Sequence, residues 1–488
     1  MRRLSPTTCL LLLLFAATFV VYFLSGPGPF VYDGRPFVYD GRMMYRVTES
    51  ILWHHSVRIE DPLMHMNEPY ATYGLAVSVL IMPLVVAGHL LFHDGQRLLS
   101  FYQPTVTAAT VVLVALIARE ILCGWRTSLG LALLYGFGTL AWYYSNILFS
   151  EPLIGFCTAL AFLALLRFRT GQSLRWLATA GCAVALALLA RTDSLAVMVL
   201  PVSAYAVTML IRSSTSWWLR ARRFAAYGLP IVAAVAVVLV YDWTRYGNPL
   251  QTGYLASGMG FTFPLARGIV GLLVSPAAGL FVFVPVLILT VVGFPGFLRE
   301  HRGVALLALA LIGARLLFYA GWWGWDGGDS WGPRFLVPVL PLLVLPLAFL
   351  PKMARPRITL SILAGLSLGI EVLAQLVDYY SFPWLSGALP SGVSLPPCMT
   401  CGAESALAVQ AAKSVVDFDW ARAPMLEQLR LLMQYGPTPR KLSLVAICLV
   451  LVPFVGLVGR LGWRLLRLAE AEQGSDAASG PAALKAVA

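Results

Sequence analysis

Two short segments of this sequence place a carboxylate where it could take part in acid–base chemistry. Asp40 begins a segment with helical spacing that runs to Leu52. Glu151 stands in the turn Ser150-Glu151-Pro152 between two apolar stretches. An acid in the first turn of a helix is stabilised by the helix dipole and free N–H groups, so both residues could be simple caps. Either could also accept a proton from a reacting hydroxyl.

The densest group of polar and aromatic side chains lies in the segment 322–334, with the sequence WWGWDGGDSWGPR. A membrane aromatic belt accounts for tryptophans at a bilayer surface. It does not account for the acids and glycines, which suit a loop shaped around a polar ligand with ring faces. The candidate ligand-binding residues in this segment are Trp325, Asp326, Asp329, Trp331 and Arg334.

A second arginine is a candidate for binding an anion. Arg191 and Asp193 flank Thr192 between two apolar stretches. Charged side chains are costly in a membrane, and an arginine there is a functional candidate by default. Arg191 and Arg334 can each form paired hydrogen bonds to a phosphate.

A tandem repeat makes the first acid ambiguous. The heptad Pro29–Arg35 recurs directly as Pro36–Arg42, so Asp33 and Asp40 have the same neighbours. Pro36 follows Asp33 by three residues and disfavours a helix running on from that point. Asp40 instead leads into a segment with helical spacing, which favours Asp40.

Composition places most of the chain in a lipid environment. Of 488 residues, 59% are hydrophobic and 12% are charged, whereas soluble domains are about a quarter charged. The net charge of +12 comes from short arginine clusters between apolar stretches. This distribution is typical of cytoplasmic loops and argues against a nucleic-acid partner.

The alternation of basic and acidic connections predicts about 12 transmembrane helices, with both termini in the cytoplasm. The apolar run after Arg2 and Arg3 is expected to be an uncleaved first span. Residues 25–72, 242–267 and 379–440 are expected outside. The later spans pair as 128–148 with 149–166, 176–190 with 194–211, 224–241 with 277–294, 303–320 with 335–350, and 358–378 with 443–460.

Two features complete the predicted organisation. Parity allows one crossing between residues 73 and 119, and we expect 101–118 to cross while 74–92 lies at the outer interface. Cys398 and Cys401 cannot complete a four-ligand zinc site alone, and a local disulfide is expected. We divide the chain into a catalytic membrane module (1–350), C-terminal spans (351–467) and a disordered cytoplasmic tail (468–488).

Taken in order, these motifs resemble the bacterial members of the GT-C superfamily, membrane glycosyltransferases that use polyprenyl-phosphate-linked sugars. The resemblance is to proteins akin to protein O-mannosyltransferases and lipid A aminoarabinose transferase. The matching features, between about residues 30 and 345, are Asp40, the block Tyr70-Ala-Thr-Tyr73-Gly-Leu75, the turn Ser150-Glu151-Pro152, Arg191-Thr-Asp193, Ser275-Pro276 and the block that ends in Trp331-Gly-Pro-Arg334.

The resemblance implies an all-α polytopic membrane protein with a GT-C-like bundle and extracytoplasmic loops, in a bacterial inner membrane with its site facing the periplasm or exterior. Asp40 would be the catalytic base, and Glu151 would position the acceptor or a divalent metal ion. The adjacent second acid common in relatives is Gly41 here, so metal binding stays open. The acceptor would be a glycan, a lipid or a protein.

A rival interpretation is a transporter or flippase of a lipid-linked saccharide, which would also need an arginine-lined groove facing lipid. Against it, the hydropathy shows no inverted repeat, and the acids are predicted at the outer surface. The sequence also has no Walker-type phosphate loop, HExxH motif or nucleophile elbow. An ATP-driven pump is therefore not expected.

Overall fold

The structure is a computed structural model that describes residues 5–26, 39–59, 69–122, 124–256, 258–328, 330–351, 354–376, 417–435 and 458–471. Several positions predicted from the sequence lie outside these ranges. They are Asp33, Asp329, Cys398, Cys401, most of the loop 379–440, most of the span 443–460 and residues 472–488.

The described chain is built of helices, with one isolated antiparallel bridge between Arg58 and Tyr70. In chain order the α-helices are α1 (Pro6–Ser25), α2 (Tyr39–His54), α3 (Leu75–Phe92), α4 (Tyr102–Leu122), α5 (Trp125–Phe137), α6 (Ala141–Tyr144), α7 (Glu151–Gly171), α8 (Leu174–Ala190), α9 (Leu200–Ile211), α10 (Trp217–Tyr246), α11 (Gly253–Ala256), α12 (Leu265–Val274), α13 (Leu280–Phe283), α14 (Ile288–Glu300), α15 (Arg302–Ala320), α16 (Leu340–Leu343), α17 (Ala354–Leu376), α18 (Pro424–Tyr435) and α19 (458–471). A π-helix, Leu195–Val199, leads directly into α9.

The predicted spans correspond to described helices along most of the chain. Seven helices of the described residues are long and apolar enough to cross a membrane, and shorter apolar helices lie between them. Two predicted spans are broken into short pieces. Residues 277–294 contain α13, the 3₁₀ turn Pro285–Leu287 and the start of α14, and the 3₁₀ segments Arg334–Val339 and Leu345–Phe349 flank α16. Proline inside each run removes helix hydrogen bonds and accounts for these breaks.

The two ends of the bundle carry different polar residues, as the charge pattern predicts. At one end, Arg167 pairs with Glu120 at 2.9 Å, and Arg126 pairs with Glu470 on α19 at 3.2 Å. These arginines belong to the clusters assigned to the cytoplasm. At the opposite end, the amide of Asn146 donates to Ser25 at 3.2 Å. Glu151 begins α7 shortly after Asn146. This acid therefore lies at the end of the bundle that the sequence assigns to the outside.

Both ends of α3 lie at this outer end, although the helix is long and apolar enough to cross a membrane. It begins beside the end of α8, where the backbone at Gly74 is so close that a Cβ would lie 2.4 Å from the Leu189 carbonyl. The chain after α3 returns to Phe101, whose ring lies 4.6 Å from that of Phe23 at the end of α1. This placement agrees with an α3 that lies at the outer interface, while α4 makes the crossing.

Two predicted boundaries need correction. α10 continues to Tyr246, so Asp242 lies in a helix and not in an external turn. Asp242 is buried there and pairs with Arg245 at 2.5 Å, which removes the cost of an isolated charge. At the other end of the chain, residues 468–471 are helical rather than disordered. Leu466 and Ala469 pack with Leu10 and Trp125 in an apolar cluster, which stabilises that last turn.

Candidate active site

Four chain segments bring their polar ends together at the outer end of the bundle. Asp40 lies in the first turn of α2, and Glu151 is the first residue of α7. Arg191 caps the C-terminus of α8, and Arg334 begins the 3₁₀ segment that leads into α16. α7, α8 and the segment after Arg334 are apolar and begin or end at a polar residue, whereas α2 is an amphipathic helix with both apolar and polar residues. The four candidate residues therefore meet because they share one level of the bundle.

Arg334 lies between the two acids. Its Nη1 donates to Oδ2 of Asp40 at 3.1 Å, and its Nε lies 3.7 Å from Oε1 of Glu151. The guanidinium also lies over the ring of Phe149, 4.6 Å from its centroid. One cation thus links Asp40 with Glu151.

Arg191 holds Glu151 from the other side. Its Nη1 donates to Oε1 of Glu151 at 3.1 Å, and its Nε donates to Oδ1 of Asp193 at 3.0 Å. The side chain is 4% exposed and lies against the rings of Tyr254 and Phe335. Both faces of this guanidinium are therefore occupied by protein groups.

The network continues into the bundle through residues that the sequence analysis missed. The hydroxyl of Tyr319 donates to Oδ2 of Asp193. Arg315 lies one turn earlier on α15, is 1% exposed, and donates from Nη1 to the Phe335 carbonyl at 2.9 Å. A single arginine inside the apolar stretch 303–320 was the available signal, because a lone charge in a span calls for a partner.

Charge is balanced across this network. Burial by itself would raise the pKa of Asp193, but Arg191 and Arg315 outweigh burial and lower it. Asp193 therefore stays ionised beside the two arginines. With Asp40 and Glu151 also counted, three carboxylates face three guanidinium groups. A buried network of this kind is stable only when each charge has a partner.

Exposure differs from one end of the network to the other. The Asp40 side chain is 12% exposed and the Arg334 side chain is 13% exposed, whereas Glu151 is fully enclosed. An incoming molecule can therefore reach Asp40 and Arg334 without opening the bundle. Glu151 lies behind Arg334 and is not exposed.

Two glycines allow these segments to approach. A Cβ on Gly41 would lie 2.7 Å from the Leu148 carbonyl, so the position after Asp40 must be small for α2 to meet the turn before α7. Gly327 has φ of +87°, which L side chains rarely adopt, and a Cβ there would lie 3.1 Å from Cγ of Arg334. Gly327 thus leaves room for the Arg334 side chain.

The helical architecture is similar to that of solved membrane proteins. No protein-family model and no curated protein matches the sequence. ArnT from Cupriavidus metallidurans, in a crystal structure bound to undecaprenyl phosphate, superposes with a TM-score of 0.50 at 15% identity, over 94% of this chain and 76% of ArnT. The chain has a GT-C-like fold. The fold class expected from the sequence is thereby confirmed, and the chain is a multi-pass membrane protein.

Two further solved structures match with lower scores. The apo state of the same ArnT has a TM-score of 0.46 at 16% identity, over 95% of this chain and 77% of ArnT. The apo oligosaccharyltransferase of Archaeoglobus fulgidus has a TM-score of 0.47 at 12% identity, over 81% of this chain and 60% of that protein.

Within this GT-C-like fold, the two candidate tryptophans do not offer a ring to a ligand. Trp325 is 2% exposed, with its ring against Phe263 and against the backbone at Gly271. Trp331 is fully buried, and its ring lies edge-on to Phe283 at 4.8 Å. Both rings pack between helices, so stacking on a sugar would require the loop to rearrange. Asp326, in the same loop, is half-buried.

The described residues around Asp40 and Glu151 do not fit a bridging divalent metal ion. No group of three metal-ligating side chains occurs within the described ranges. The guanidinium of Arg334 occupies the position between Asp40 and Glu151 that such an ion would need. The position next to Asp40 is Gly41, which has no side chain to supply a further carboxylate. We therefore derive no chemical step through a metal.

Proposed function

We propose that this protein is a glycosyltransferase that moves a sugar from a polyprenyl-phosphate donor to an acceptor hydroxyl at the outer face of the membrane. The observation that carries the proposal is the accessible pair of Asp40 and Arg334, which lie 3.1 Å apart. A carboxylate that can take a proton and a guanidinium that can bind a phosphate are the two groups that this transfer needs.

The reaction assigns one role to each group. The acceptor oxygen attacks C1 of the sugar, and its proton passes to Asp40. The bond between C1 and the lipid phosphate breaks, and its electron pair leaves with the phosphate. Arg334 stabilises the charge that develops on that phosphate through N–H donors already held in place.

Glu151 and Arg191 have supporting roles in this proposal. Glu151 is enclosed, and its charge holds the Nε side of Arg334 while leaving the Nη side toward Asp40. Arg191 is paired with Glu151 and Asp193. Of the two candidate phosphate ligands, Arg334 is therefore the better placed. Arg191 holds Glu151 in place behind Arg334.

The donor class agrees with the environment of the site. A polyprenyl tail lies in the lipid while its phosphate stays at the interface, which is the level of Asp40 and Arg334. ArnT shares the fold and was crystallised with undecaprenyl phosphate. We place the protein in a bacterial inner membrane with this end toward the periplasm, where a lipid-linked donor removes the need for ATP or a nucleotide sugar.

The test is transfer by the purified protein in proteoliposomes. A panel of polyprenyl-phosphate sugars is supplied without nucleotides, and extracted envelope lipids, glycans and proteins serve as acceptors. We expect a glycosidic product together with free polyprenyl phosphate, both identified by mass spectrometry. Comparing envelope glycolipids and glycoproteins from cells with and without the protein would then identify the acceptor.

The alternative function, a flippase for a lipid-linked saccharide, makes a different prediction. Such a protein would move a fluorescent polyprenyl-phosphate sugar between leaflets and release no free polyprenyl phosphate. Translocation without bond cleavage in the same proteoliposomes would replace the transferase proposal.

A further inference from the structure

The carboxylate of Asp40 has two partners from distant parts of the chain. The hydroxyl of Tyr73 donates to Oδ1 at 2.7 Å, while Arg334 donates to Oδ2 at 3.1 Å. Each oxygen is therefore held by a different group. A carboxylate fixed at both oxygens has a defined plane and a defined direction for its remaining lone pairs.

The segment that carries Tyr73 is itself held on two sides. Nη1 of the buried Arg245 donates to the Ala71 carbonyl at 2.6 Å. On the other side, Gly74 lies so close to the end of α8 that a Cβ would be 2.4 Å from the Leu189 carbonyl. The backbone on either side of Tyr73 therefore has little room to move, and the hydroxyl is aimed by the fold.

The Tyr73 hydroxyl remains a hydrogen-bond donor at neutral pH. Burial and then the charge of Asp40 raise the pKa of Tyr73 well above its usual value. The ring also packs edge-on against Tyr254, with centroids 6.5 Å apart. Tyr73 therefore cannot compete with Asp40 as a base, and its proton stays in the hydrogen bond.

We infer that Tyr73 is a positioning residue that keeps Asp40 in place after the donor phosphate has engaged Arg334. This inference rests on the proposed function. Arg334 donates to Asp40 in this structure, but a phosphate bound to the guanidinium would draw that cation away. Tyr73 then still donates to Oδ1 of Asp40, and Oδ2 becomes available to accept the proton of the acceptor hydroxyl.

This arrangement assigns phosphate binding and orientation of the base to different residues, because a single cation could not do both at once. Arg334 binds the leaving group, while Tyr73 holds the base at a fixed orientation through its other oxygen. Among the residues that the structure describes, the titratable and charged groups around Asp40 include Tyr73, Arg334, Tyr254 and, behind Arg334, Glu151. Of these, Tyr73 is the neutral donor in contact with the carboxylate.

The experiment is the variant Tyr73→Phe, which removes the hydroxyl and keeps the ring. We expect kcat to fall about 10- to 100-fold, the usual range for a lost hydrogen bond to a charged group. The KM for the polyprenyl-phosphate donor should stay within about twofold, because Arg334 is intact. The acidic limb of the pH–rate profile should move to higher pH, since a lost donor disfavours the ionised carboxylate.

The matched control is Tyr70→Phe in the same block, because Tyr70 contacts the ring of Tyr246 and not Asp40. It should keep the wild-type kcat and pH profile. Incorporating 3-fluorotyrosine in place of Tyr73, which keeps a hydroxyl, should restore most of the turnover. Thermal melts of each variant in detergent show whether the fold is retained.

An unchanged pH profile in a folded, active Tyr73→Phe protein would overturn the inference. So would a lower kcat without any displacement of the acidic limb, because a purely structural role would reduce the active fraction and leave that limb in place. If instead the wild-type protein transfers no sugar from any donor, the proposed function fails first, and that outcome is distinct from either of these.

Discussion

Arg334 and Asp40 are 294 positions apart in the sequence, yet Nη1 of one lies 3.1 Å from Oδ2 of the other. The pair is on the accessible side of a network whose deeper members are enclosed. A substrate phosphate that approaches this pair meets a cation already oriented by two carboxylates. Removal of the cation should therefore affect the chemistry more than the fold.

Arg334→Ala should lower kcat/KM for a polyprenyl-phosphate donor by about 10²- to 10³-fold, the usual cost of one preorganised donor to a developing oxyanion. Arg334→Lys should also stay well below wild type, because lysine offers a point charge in place of a paired donor. Steady-state transfer in proteoliposomes measures both. Direct binding of undecaprenyl phosphate, followed by native mass spectrometry, should weaken in parallel.

The matched control for Arg334 is Arg97→Ala. Arg97 lies on the same outer face, is 36% exposed and pairs with Asp94 at 3.5 Å. A surface ion pair of this kind contributes about 0–1 kcal/mol, so turnover should be unchanged. Wild-type turnover in Arg334→Ala and Arg334→Lys together would remove Arg334 from the site.

Asp40→Asn should fold and insert normally but lose turnover by about 10²- to 10⁴-fold, the range for removal of a general base. Asparagine keeps the shape and the capping ability of the side chain. Asp33→Asn alters the same heptad seven residues earlier and should remain close to wild type. Loss of activity in the Asp33 variant alone would place the base one repeat earlier, and two active variants would reduce Asp40 to a helix cap.

Arg191→Met should mainly destabilise the protein. It leaves Glu151 and Asp193 buried with one cation fewer, and breaking a buried pair in this way costs about 3–5 kcal/mol. The measurement is the apparent Tm in detergent, together with the yield of monodisperse protein. Arg175→Met, at an exposed position where the guanidinium lies 5.4 Å from the Trp176 ring, should leave the Tm nearly unchanged. A stable Arg191 variant that no longer binds undecaprenyl phosphate would return Arg191 to the phosphate site.

Much of this arrangement could be predicted because it follows from where charges can lie in a membrane. Glu151, Arg191 and Arg334 each stand at the polar end of an apolar segment, and Asp40 stands in the loop expected outside. Alternating topology puts all four on the same side of the membrane. Their gathering needed no knowledge of helix packing. The same reasoning predicts α4 as the crossing segment and α3 as the segment outside the parity.

What could not be predicted depends on contacts between distant residues. Nothing in Arg191-Thr-Asp193 indicates that Glu151, 40 positions away, takes the other side of the guanidinium. The sequence indicates Trp325 and Trp331 as ligand-binding residues, whereas Trp331 is buried against Phe283. Tyr73 belongs to the block Tyr70–Leu75, but its hydrogen bond to Asp40 depends on the packing of the segment before α3 against the end of α8.

The orientation of α3 gives the last prediction, and it can be tested without any substrate. If both ends of α3 lie outside, residues before and after it should be reachable from the same side. We propose cysteine labelling in intact cells, in a background with the seven native cysteines replaced. His55→Cys and His93→Cys, both at exposed positions flanking the helix, should react with a membrane-impermeant maleimide. Thr215→Cys, between α9 and α10, should react only after the membrane is permeabilised.

A membrane-crossing α3 would give the opposite result at one position. His93→Cys would then be protected in intact cells while His55→Cys reacts, and α4 would have to start from the cytoplasm. That start is incompatible with the ring of Phe101 packing 4.6 Å from Phe23 at the outer end of α1. Residues 93–101 are folded into turns. A segment of this conformation is too short to return across a hydrocarbon core of about 30 Å. Labelling of Thr215→Cys from outside would invert the whole topology and move the site of Asp40 and Arg334 to the cytoplasmic face.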